Sequence, residues 1–455
     1  MATFVRSVAL PHSPHDVYAW HARDGAFERL VPPWQRVEVV KRVGDFANLR
    51  AEMRIQLGPL SLPWVAQHSG AVSGQQFIDT QLRGPFARWQ HTHRFEATAT
   101  GSQLVDAVDF AVPGGWLGQR VAGRAVDAML ARTFAFRHRR TRLDLAAHAR
   151  WAHCPRMRIA LTGGTGVVGS ALTAYLQTAG HTVLQLVRRP ARNQLEVQWD
   201  PLGGSVNLAA LEGIDAAVHL AGENVGARWT PERKIAVMQS RVRGTATLVN
   251  ALLALQKRPT VLVSASAVGI YGDTGGAVVD EGAAAGTGFL ADVCRAWERA
   301  AEPARQAGIR VVHPRIGVVL TAKGGALVKM LPVFRAGLGG RIGSGRQGLP
   351  WIALDDVLGA LELALHDAAL EGAVNLVAPG AGRQMEFART LARVLGRPGV
   401  LPMPDAVVRA LFGDMGREVL LAGQFVRAGQ LVDRGFCFQF EELGDLLRFE
   451  LGLAG

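Results

Sequence analysis

In the first third of the chain, apolar and polar residues alternate in short runs that are typical of an antiparallel sheet. A run at residues 4–10 is followed by two short helical segments at 17–21 and 24–30, and then by six more runs at 36–43, 48–57, 60–69, 76–82, 89–97 and 103–110. Turn residues such as Gly44 and Asp45 separate the runs. After Pro113, apolar residues recur at about every fourth position from Leu117 to Phe136, which predicts a long amphipathic helix.

From Met157 onward the pattern changes. Apolar runs at 159–161, 181–187, 214–222, 260–266 and 310–312 predict buried strands, and segments at 172–176 and 231–255 predict helices. Strands that alternate with helices predict a parallel, doubly wound sheet. We therefore expect an α/β protein with a first, α+β domain at 1–145, an Ala-, Arg- and His-rich linker at 146–156, a second domain at 157–400 and a small module at 401–455.

A glycine-rich turn joins the first strand of the second domain to the helix that follows it. Gly163 permits a tight turn, Gly166 lets the backbone approach a pyrophosphate, and Gly169 lets the helix pack closely on the strand. Free N–H groups at the helix N-terminus favour an anion. The spacing therefore predicts dinucleotide binding, rather than an ordinary glycine-rich connection, by six residues of this turn: Gly163, Thr165, Gly166, Val167, Val168 and Gly169.

The second strand of this domain ends in Arg188 and Arg189. In dinucleotide folds that prefer NAD, an acidic residue near this point binds the ribose 2′-hydroxyl, whereas an Arg accommodates the 2′-phosphate of NADP. No Asp or Glu occupies the end of this strand. We therefore expect NADP(H) as the cofactor in preference to NAD(H); the alternative is a pair of solvated arginines.

The formal net charge of +12 raises the question of nucleic-acid binding. Most basic residues are scattered, and the densest cluster, near the predicted end of the long helix, comprises Arg137, Arg139, Arg140 and Arg142. No nucleic-acid motif accompanies it, so we expect no nucleic-acid partner. The three cysteines are far apart, which argues for a reducing compartment. Because no apolar run reaches about 18 residues, we expect a cytoplasmic protein without a membrane partner.

His91 and His93 share one face of a predicted strand, because side chains alternate between the two faces of a sheet. Two histidines on one face are potential metal ligands, but the sequence offers no obvious third ligand. We therefore expect a pair of histidines on the sheet face and no metal site.

The order of elements in the first domain resembles the helix-grip fold of the SRPBCC (START/polyketide-cyclase-like) superfamily. The resemblance also rests on two local stretches, residues 30–34 and 84–93. In that fold the sheet wraps the long helix and leaves a cavity. The resemblance implies an apolar ligand for the N-terminal domain.

The second domain resembles an extended short-chain dehydrogenase/reductase, and more narrowly the atypical YfcH-like epimerase family. The resemblance rests on residues 162–169, 219–225, 264–272, 314–320, 339–347, 351–357 and 372–376. It implies a Rossmann domain with a small C-terminal module on the substrate side, and some family members also carry an N-terminal SRPBCC domain. It further implies cofactor contacts at later strand ends: Ala221, Gly222, Glu223, Ser264, Pro314 and Ile316.

The sequence lacks the usual proton-transfer pair of the short-chain dehydrogenases. These enzymes use a Tyr and a Lys four residues apart, and the Lys lowers the pKa of the phenol so that it exchanges a proton while hydride moves. None of the three tyrosines, Tyr18, Tyr175 and Tyr271, is followed by a Lys at that spacing. The resemblance places Leu290 and Cys294 at the two positions.

Other residues are therefore candidates for the chemistry. Ser266 is expected to hydrogen-bond a substrate oxygen, and Tyr271 is the phenol near the site, although it also fits a packing role beneath the cofactor loop. Cys294 is expected to be a buried thiol rather than a nucleophile. Weaker candidates for acid–base chemistry or for holding an anionic substrate are Glu223, Asp292, Arg295, Arg335, Arg341 and Arg346.

Two functions follow from the sequence. The first is an NADP(H)-dependent oxidoreductase or nucleoside-sugar-type epimerase that acts on an unknown small molecule. The second is a non-catalytic NADPH sensor whose first domain binds a ligand, and the missing Tyr–Lys pair favours it. Either function is compatible with a homodimer.

Overall fold

The computed structural model describes residues 2–58 and 60–453. The chain forms two compact units. The first consists mainly of the residues up to His153, together with two short segments, Gln177–Gly180 and the residues from Phe449 onward. The second consists of Cys154–Leu176 and His181–Arg448.

The first unit is built from one antiparallel sheet and three helices. Among the described residues, the sheet has seven strands in the order β1-β7-β6-β5-β4-β3-β2. The elements are β1 (Ala2–Leu10), α1 (Pro14–Ala22), α2 (Ala26–Leu30), β2 (Arg36–Val43), β3 (Arg50–Leu57), β4 (Leu60–Val72), β5 (Gln76–Arg83), β6 (Arg88–Thr98), β7 (Gly101–Ala111) and α3 (Gly115–Ala149). The predicted order of a strand, two short helices, six strands and a long helix is confirmed.

The long helix extends further than the sequence pattern predicts. Residues 146–149, expected to begin the linker, are the last residues of α3. Alanine has the highest helix propensity, so the Ala-rich segment continues the helix. Leu145 and His148 are buried, which gives this last part a packed face as well. The predicted linker therefore begins about one helical turn too early.

The basic cluster at residues 137–142 lies inside the long helix and is partly buried, whereas the sequence placed it near the helix end. Arg140 is 4% exposed. Nearby, the fully buried carboxylate of Asp144 accepts hydrogen bonds from Arg29 Nε at 2.7 Å and Arg29 Nη2 at 2.5 Å. Part of this cluster therefore belongs to the interior of the unit, whereas Arg142 is exposed.

The strand register gives the two histidines acidic neighbours. Asp79 of β5 lies directly opposite His91 of β6, and Asp106 of β7 lies opposite His93. Residues paired across antiparallel strands project from the same face, so these four side chains form one row. A potential third ligand is thus present, contrary to what the sequence offered, because strand pairing is not visible in the order of residues along the chain.

The second unit is an α/β fold with a set of short additional strands. Its elements are β8 (Arg158–Thr162), α4 (Val167–Thr178), β9 (Thr182–Val187), β10 (Glu196–Asp200), β11 (Ser205–Val206), α5 (Leu208–Leu211), β12 (Ala216–His219), α6 (Pro231–Ala254), β13 (Val261–Ser264), β14 (Ser266–Ala267), β15 (Val278–Val279), α7 (Phe289–Ala300), α8 (Glu302–Gln306), β16 (Arg310–Ile316), β17 (Val318–Thr321), α9 (Gly325–Arg335), β18 (Gly348–Leu349), β19 (Trp351–Ala353), α10 (Leu354–His366), β20 (Gly372–Leu376), β21 (Gly382–Arg383), α11 (Gln384–Val394), α12 (Asp405–Met415), β22 (Phe425–Val426), α13 (Gly429–Asp433) and α14 (Leu443–Leu451).

The main sheet of this unit has the strand order of a Rossmann fold. Its parallel strands follow the order β10-β9-β8-β12-β13-β16, and β20 pairs with β16. When these six parallel strands are numbered in chain order, their order in the sheet is 3-2-1-4-5-6, which is that of a dinucleotide-binding fold. The order reverses between β8 and β12, and ligands bind outside the carboxyl ends of the strands at such a switch point. The predicted glycine turn follows β8 directly, so it lies at this point.

The sequence predicts a small module at 401–455, but the residues from Phe449 onward belong to the first unit. Helix α12 is followed by a π-helical turn at Gly416–Leu421, and β22 then pairs in parallel with β15. This pairing ties the module to the loop that follows β14. Among the described residues, no helix is both long and apolar enough to cross a membrane.

Candidate functional site

The glycine turn has the local geometry that its spacing predicts. Gly163 has a φ of +74°, and a Cβ there would lie 2.8 Å from the carbonyl carbon of Leu220. A Cβ on Gly169 would lie 2.2 Å from the carbonyl oxygen of Gly163, so only glycine allows α4 to begin this close to the turn. A Cβ on Gly166 would meet only that same oxygen, at 3.3 Å. Gly166 is therefore the glycine that the protein's own packing requires least, which fits a position kept small for a ligand.

The start of α4 supplies the anion-binding groups. The first N–H groups of a helix have no partner within the helix, and here they belong to Val167, Val168 and Gly169. Thr165 and Gly166, which precede them, are exposed. The helix dipole adds a partial positive charge at this end. The residues present thus fit the diphosphate of a dinucleotide.

Thr162, which the sequence analysis did not select, fixes this turn against the next strand end. Its hydroxyl accepts hydrogen bonds from the backbone N–H groups of Leu220 and Ala221, both at 3.2 Å. It also lies 2.7 Å from Nδ1 of the buried His219. These contacts bring Ala221 and Gly222 beside Gly163, although nearly sixty residues separate them in the sequence.

Charged groups close the loop after β12. The guanidinium of Arg241 in α6 lies 3.1 Å from where a Cβ of Gly222 would be, and its Nη1 donates to the carbonyl oxygen of Glu223 at 3.0 Å. The Glu223 carboxylate pairs with Arg233 at 2.8 Å. The sequence indicated small residues, Ala221 and Gly222, in this loop. Tertiary folding places two arginines of α6 next to the loop.

The two arginines after β9 have different environments. Arg189 donates to both carboxylate oxygens of Glu196, at 2.6 Å each, and so forms a bidentate pair. Arg188 is exposed. Arg189 thus links the end of β9 to the adjoining strand β10 through Glu196, and the contact of either arginine with a 2′-phosphate stays a prediction.

The remaining predicted cofactor residues lie at the ends of the next two strands. Ser264 ends β13 and is fully buried, and its hydroxyl has no hydrogen-bond partner within the described part of the chain. Pro314 and Ile316 belong to β16, which pairs with β13. The structure thus brings these residues to the same edge of the sheet as the glycine turn, while their contact with a cofactor stays a prediction.

Ser266 and Tyr271, the two catalytic candidates, belong to one buried hydrogen-bonded network. Ser266 Oγ donates to Glu298 Oε1 at 2.7 Å, and Arg315 donates to both oxygens of Glu298, at 2.9 and 3.0 Å. Arg315 Nη1 also donates to the Tyr271 hydroxyl at 3.0 Å, which in turn donates to Asn375 Oδ1 at 2.7 Å. Burial raises the pKa of Tyr271, which is 4% exposed. The contacts with Arg315 and Asn375 lower the pKa of the phenol and so oppose the effect of burial. The catalytic role of both residues stays a prediction.

Leu290 and Cys294, which the resemblance places at the positions of the Tyr–Lys pair, lie on α7. Leu290 lines a cavity, whereas Cys294 is 3% exposed. Burial raises the pKa of the Cys294 thiol to about 11, so the thiolate is scarce at neutral pH. The expectation of a buried thiol at this position is confirmed.

We predict that Cys294 does not react with Ellman's reagent in the native protein at pH 8. Only the thiolate is nucleophilic, and burial disfavours both its formation and access to it. Cys437 is exposed, so it should supply the fast phase of the reaction, and this phase should disappear in Cys437→Ser. A fast phase that disappears in Cys294→Ser instead would contradict the assignment.

A cavity of about 330 Å³ lies beside Leu290. It is bounded by the turn at Gly269–Gly272, the start of α7 and the C-terminal module, which contributes four charged residues: Asp405, Arg409, Arg417 and Glu418. Glu418 Oε2 accepts the backbone N–H of Leu290 at 3.2 Å, which ties the module to the N-terminus of α7. Sequence reasoning missed these four residues because the module lies more than 100 residues further along the chain.

The arginines that the sequence proposed for an anionic substrate lie elsewhere. Arg335, Arg341 and Arg346 are exposed, and none is among the residues that line this cavity. Arg341 donates to the carbonyl oxygen of Gly343 at 3.1 Å, a contact within its own loop. Asp292 and Arg295 form an ion pair with each other on α7. The charged residues that line the cavity come instead from the C-terminal module and from Asp273.

Three family models match the chain in series. Residues 10–136 match polyketide cyclase / dehydrase and lipid transport, residues 159–376 match the NAD dependent epimerase/dehydratase family, and residues 403–450 match a domain of unknown function (DUF1731). These matches coincide with the antiparallel unit, the Rossmann fold and the C-terminal module.

Known proteins of similar sequence or structure are described as epimerases or as epimerase family proteins. An epimerase family protein of Mycobacterium bovis is 43% identical over 64% of this chain and 96% of its own length. A nucleoside-diphosphate sugar epimerase from Corynebacterium glutamicum has a similar structure, with a TM-score of 0.82 and 32% identity over 99% of this chain and 90% of that one. The human epimerase family protein SDR39U1 (isoform2), crystallised with NADPH, has a TM-score of 0.60 and 38% identity over 65% of this chain and 99% of its own.

Proposed function

Since this chain belongs to the NAD dependent epimerase/dehydratase family, we propose that it binds NADPH and acts as an oxidoreductase or epimerase on a small polar molecule. The observation that carries the proposal is the turn from Gly163 to Gly169, which lies at the switch point of the sheet with the exposed Arg188 at the end of the adjacent strand β9. The human protein of similar structure, crystallised with NADPH, supports this cofactor.

Each part of the cofactor has matching groups on this chain. The N-terminus of α4 binds the diphosphate, Gly166 leaves space for it, and Arg188 donates to the 2′-phosphate, for which a guanidinium is well suited. The bound nicotinamide supplies or accepts hydride. The buried edge formed by Ser264 and Ser266 limits water near the hydride-transfer position.

The cavity beside Leu290 supports a polar substrate with anionic groups. Two guanidinium groups line it, together with three carboxylates: Arg409 and Arg417, and Asp273, Asp405 and Glu418. A guanidinium binds a phosphate through two parallel hydrogen bonds. Nucleoside-diphosphate sugars are therefore the first substrate class to test, as the description of the Corynebacterium glutamicum protein also suggests.

We predict that Arg188→Ala weakens NADPH binding while it leaves NADH binding unchanged. A charge-assisted hydrogen bond contributes about 1.5–3 kcal/mol, so the dissociation constant for NADPH should rise by roughly tenfold or more. Titration of the fluorescence of each nucleotide with the full chain measures both constants. Arg192→Ala, in the same exposed loop, is the matched control and should bind both nucleotides as the wild type does.

Three outcomes of this experiment oppose the proposal. Equal losses for NADPH and NADH in Arg188→Ala would remove the argument for the 2′-phosphate contact. A selective loss of NADPH binding in Arg189→Ala, but not in Arg188→Ala, would show that Arg189 makes the contact despite its pair with Glu196. If the wild type binds neither nucleotide, the glycine turn is only architectural and the enzymatic proposal is wrong as well.

A second candidate is a non-catalytic NADPH sensor whose N-terminal domain binds a ligand. The observation that favours it is the absence of the Tyr–Lys pair at Leu290 and Cys294, together with a Tyr271 hydroxyl that is already engaged by Arg315 and Asn375. Such a protein would bind NADPH tightly but show no turnover with nucleoside-diphosphate sugars. A measurable turnover that decreases in Ser266→Ala or Tyr271→Phe would instead support an enzyme.

A further inference from the structure

A row of histidines and carboxylates crosses the middle of the N-terminal sheet. Asp79, His91, His93 and Asp106 come from three adjacent strands and project from one face. The two imidazoles and Asp106 are buried, with exposures of 2%, 6% and 2% respectively, and Asp79 is partly exposed. Such a concentration of buried polar groups is costly unless something compensates for the lost solvation.

We propose that Asp79, His91 and His93 bind a divalent first-row transition-metal ion. One ligand atom from each of the three residues lies within 4.8 Å of the others. In a tetrahedral site with bonds of about 2.1 Å, two ligand atoms are about 3.4 Å apart. Closing the site therefore requires these atoms to approach one another by at most about 1.4 Å.

The ligand types indicate which class of ion fits. Imidazole binds zinc, iron, nickel and copper well, whereas calcium and magnesium prefer oxygen ligands. Two imidazoles and one carboxylate form the donor set of several catalytic zinc and iron sites, in which the remaining coordination positions hold water or substrate. The site thus fits a zinc-like ion and leaves a coordination position for a further ligand.

Asp106 gives the site its supporting contacts. Its carboxylate lies 2.9 Å from His91 Nε2 and 2.6 Å from Nε2 of His138, a residue of α3. Metal-bound histidines commonly donate their second ring N–H to such a carboxylate, which orients the ring for the ion. His93 Nδ1 lies 2.8 Å from the same carboxylate, yet it has no hydrogen-bond partner of suitable geometry among the described residues. A bound ion would position this ring.

Other groups surround the row without entering the proposed ligand set. Nε2 of His68, on β4, lies 4.0 Å from Asp79 Oδ1, and the ring of His21 in α1 lies 5.9 Å from that of His93. Phe77 stacks on His93 with ring centroids 4.0 Å apart. These contacts limit the directions in which His93 can turn, so the row is already close to a binding geometry.

A second group of possible ligands, in the other unit, serves as a comparison. His181, Glu362 and His366 also place ligand atoms within 4.8 Å of one another. Here, however, Glu362 accepts a hydrogen bond from Tyr175 at 2.6 Å, and His181 Nδ1 accepts the backbone N–H of Met157 at 3.0 Å. One oxygen of Glu362 and one ring nitrogen of His181 thus take part in packing the Rossmann fold. We place the metal site in the first unit because Asp106 lies within hydrogen-bond distance of both histidines there.

The test uses the full chain without a histidine tag, stripped of metal with a chelator. Co²⁺ is added while visible absorption bands are recorded, and Zn²⁺ affinity is then measured by competition with a chromophoric chelator. We expect one ion per chain and a loss of affinity of at least about 100-fold in Asp79→Asn, which removes a direct ligand. Asp106→Asn should lose about 10–100-fold, as expected for a supporting residue.

Two matched controls locate the site. His15→Gln changes an exposed histidine of α1, and His366→Gln disrupts the comparison group; neither should alter the stoichiometry or the affinity.

Asp79 is partly exposed, so Asp79→Asn is expected to fold, and Zn²⁺ should raise the melting temperature of the wild type but not of this variant. The proposal is overturned if the wild type binds no ion, if Asp79→Asn binds as tightly as the wild type, or if binding is lost only in His366→Gln.

Discussion

Gly169→Ala should abolish measurable NADPH binding and destabilise the second unit. A Cβ at this position would lie 2.2 Å from the carbonyl oxygen and 2.8 Å from the carbonyl carbon of Gly163, both of which are backbone atoms. No side-chain rotation relieves this contact, so α4 must move away from the turn. A displacement of about 1 Å is enough to reduce the function of a positioned site on the order of 100-fold. Overpacking of this kind also lowers the free energy of unfolding by about 1–3 kcal/mol.

Gly166→Ala is the matched control for this prediction, and the two glycines lie in the same turn. The new Cβ would meet only the Gly163 oxygen at 3.3 Å, and the φ of Gly166 is not in the left-handed region. The new Cβ is tight against one backbone oxygen, whereas alanine restricts the unfolded chain. The two effects oppose each other, so the free energy of unfolding should change by no more than about 1 kcal/mol. NADPH binding should nevertheless weaken, since the methyl group occupies the space left for the diphosphate.

Nucleotide titration and urea unfolding of the two variants measure both effects. Weaker NADPH binding without loss of stability in Gly166→Ala identifies a ligand-facing glycine, and a combined loss in Gly169→Ala identifies a packing glycine. If Gly169→Ala bound NADPH as the wild type does, the close approach of α4 to the turn would not matter for the cofactor. If Gly166→Ala left NADPH binding unchanged, the diphosphate would not lie over this turn.

Glu298→Ala is expected to lower the free energy of unfolding by about 3–5 kcal/mol, because it leaves the guanidinium of Arg315 buried without its charge partner. The side chain of Arg315 is only 11% exposed, and that of Glu298 is 16% exposed. Although burial opposes it, hydrogen bonds from Arg315 and Ser266 hold the pKa of Glu298 below its usual value, so the pair is charged at neutral pH. The substitution also removes the acceptor of the Ser266 hydroxyl.

Urea unfolding measures this loss, and Glu302→Ala provides the control. Glu302 forms its ion pair with Arg305 at the surface of the adjacent helix α8, where solvent screens the interaction, so its removal should leave the melting temperature almost unchanged. If Glu298→Ala were as stable as the wild type, the network around Tyr271 would not be a structural support. Its involvement in catalysis would then become the better explanation for burying these charges.

Much of the fold follows from local patterns in the sequence. Alternation with a period of two marks the strands of the first unit, and its change after Met157 marks the Rossmann fold. The spacing of Gly163, Gly166 and Gly169 within one short segment predicted a binding turn, and the close approach of Gly169 to the Gly163 carbonyl oxygen is a contact inside that segment. The boundaries were less certain: helix α3 continues to Ala149, where composition alone suggested a linker.

The chemistry of both candidate sites was decided by contacts between distant segments. The sequence showed Ser266 and Tyr271 as available hydroxyl groups, but Glu298, Arg315 and Asn375 engage them only after folding. The sequence likewise showed His91 and His93 as an isolated pair, and the strand register adds Asp79 and Asp106. Local sequence patterns indicate how one segment folds and how it packs against residues that are close to it in the sequence. Charge pairing, burial and ligand sets depend on which segments become neighbours, so for this protein only the tertiary structure determined them.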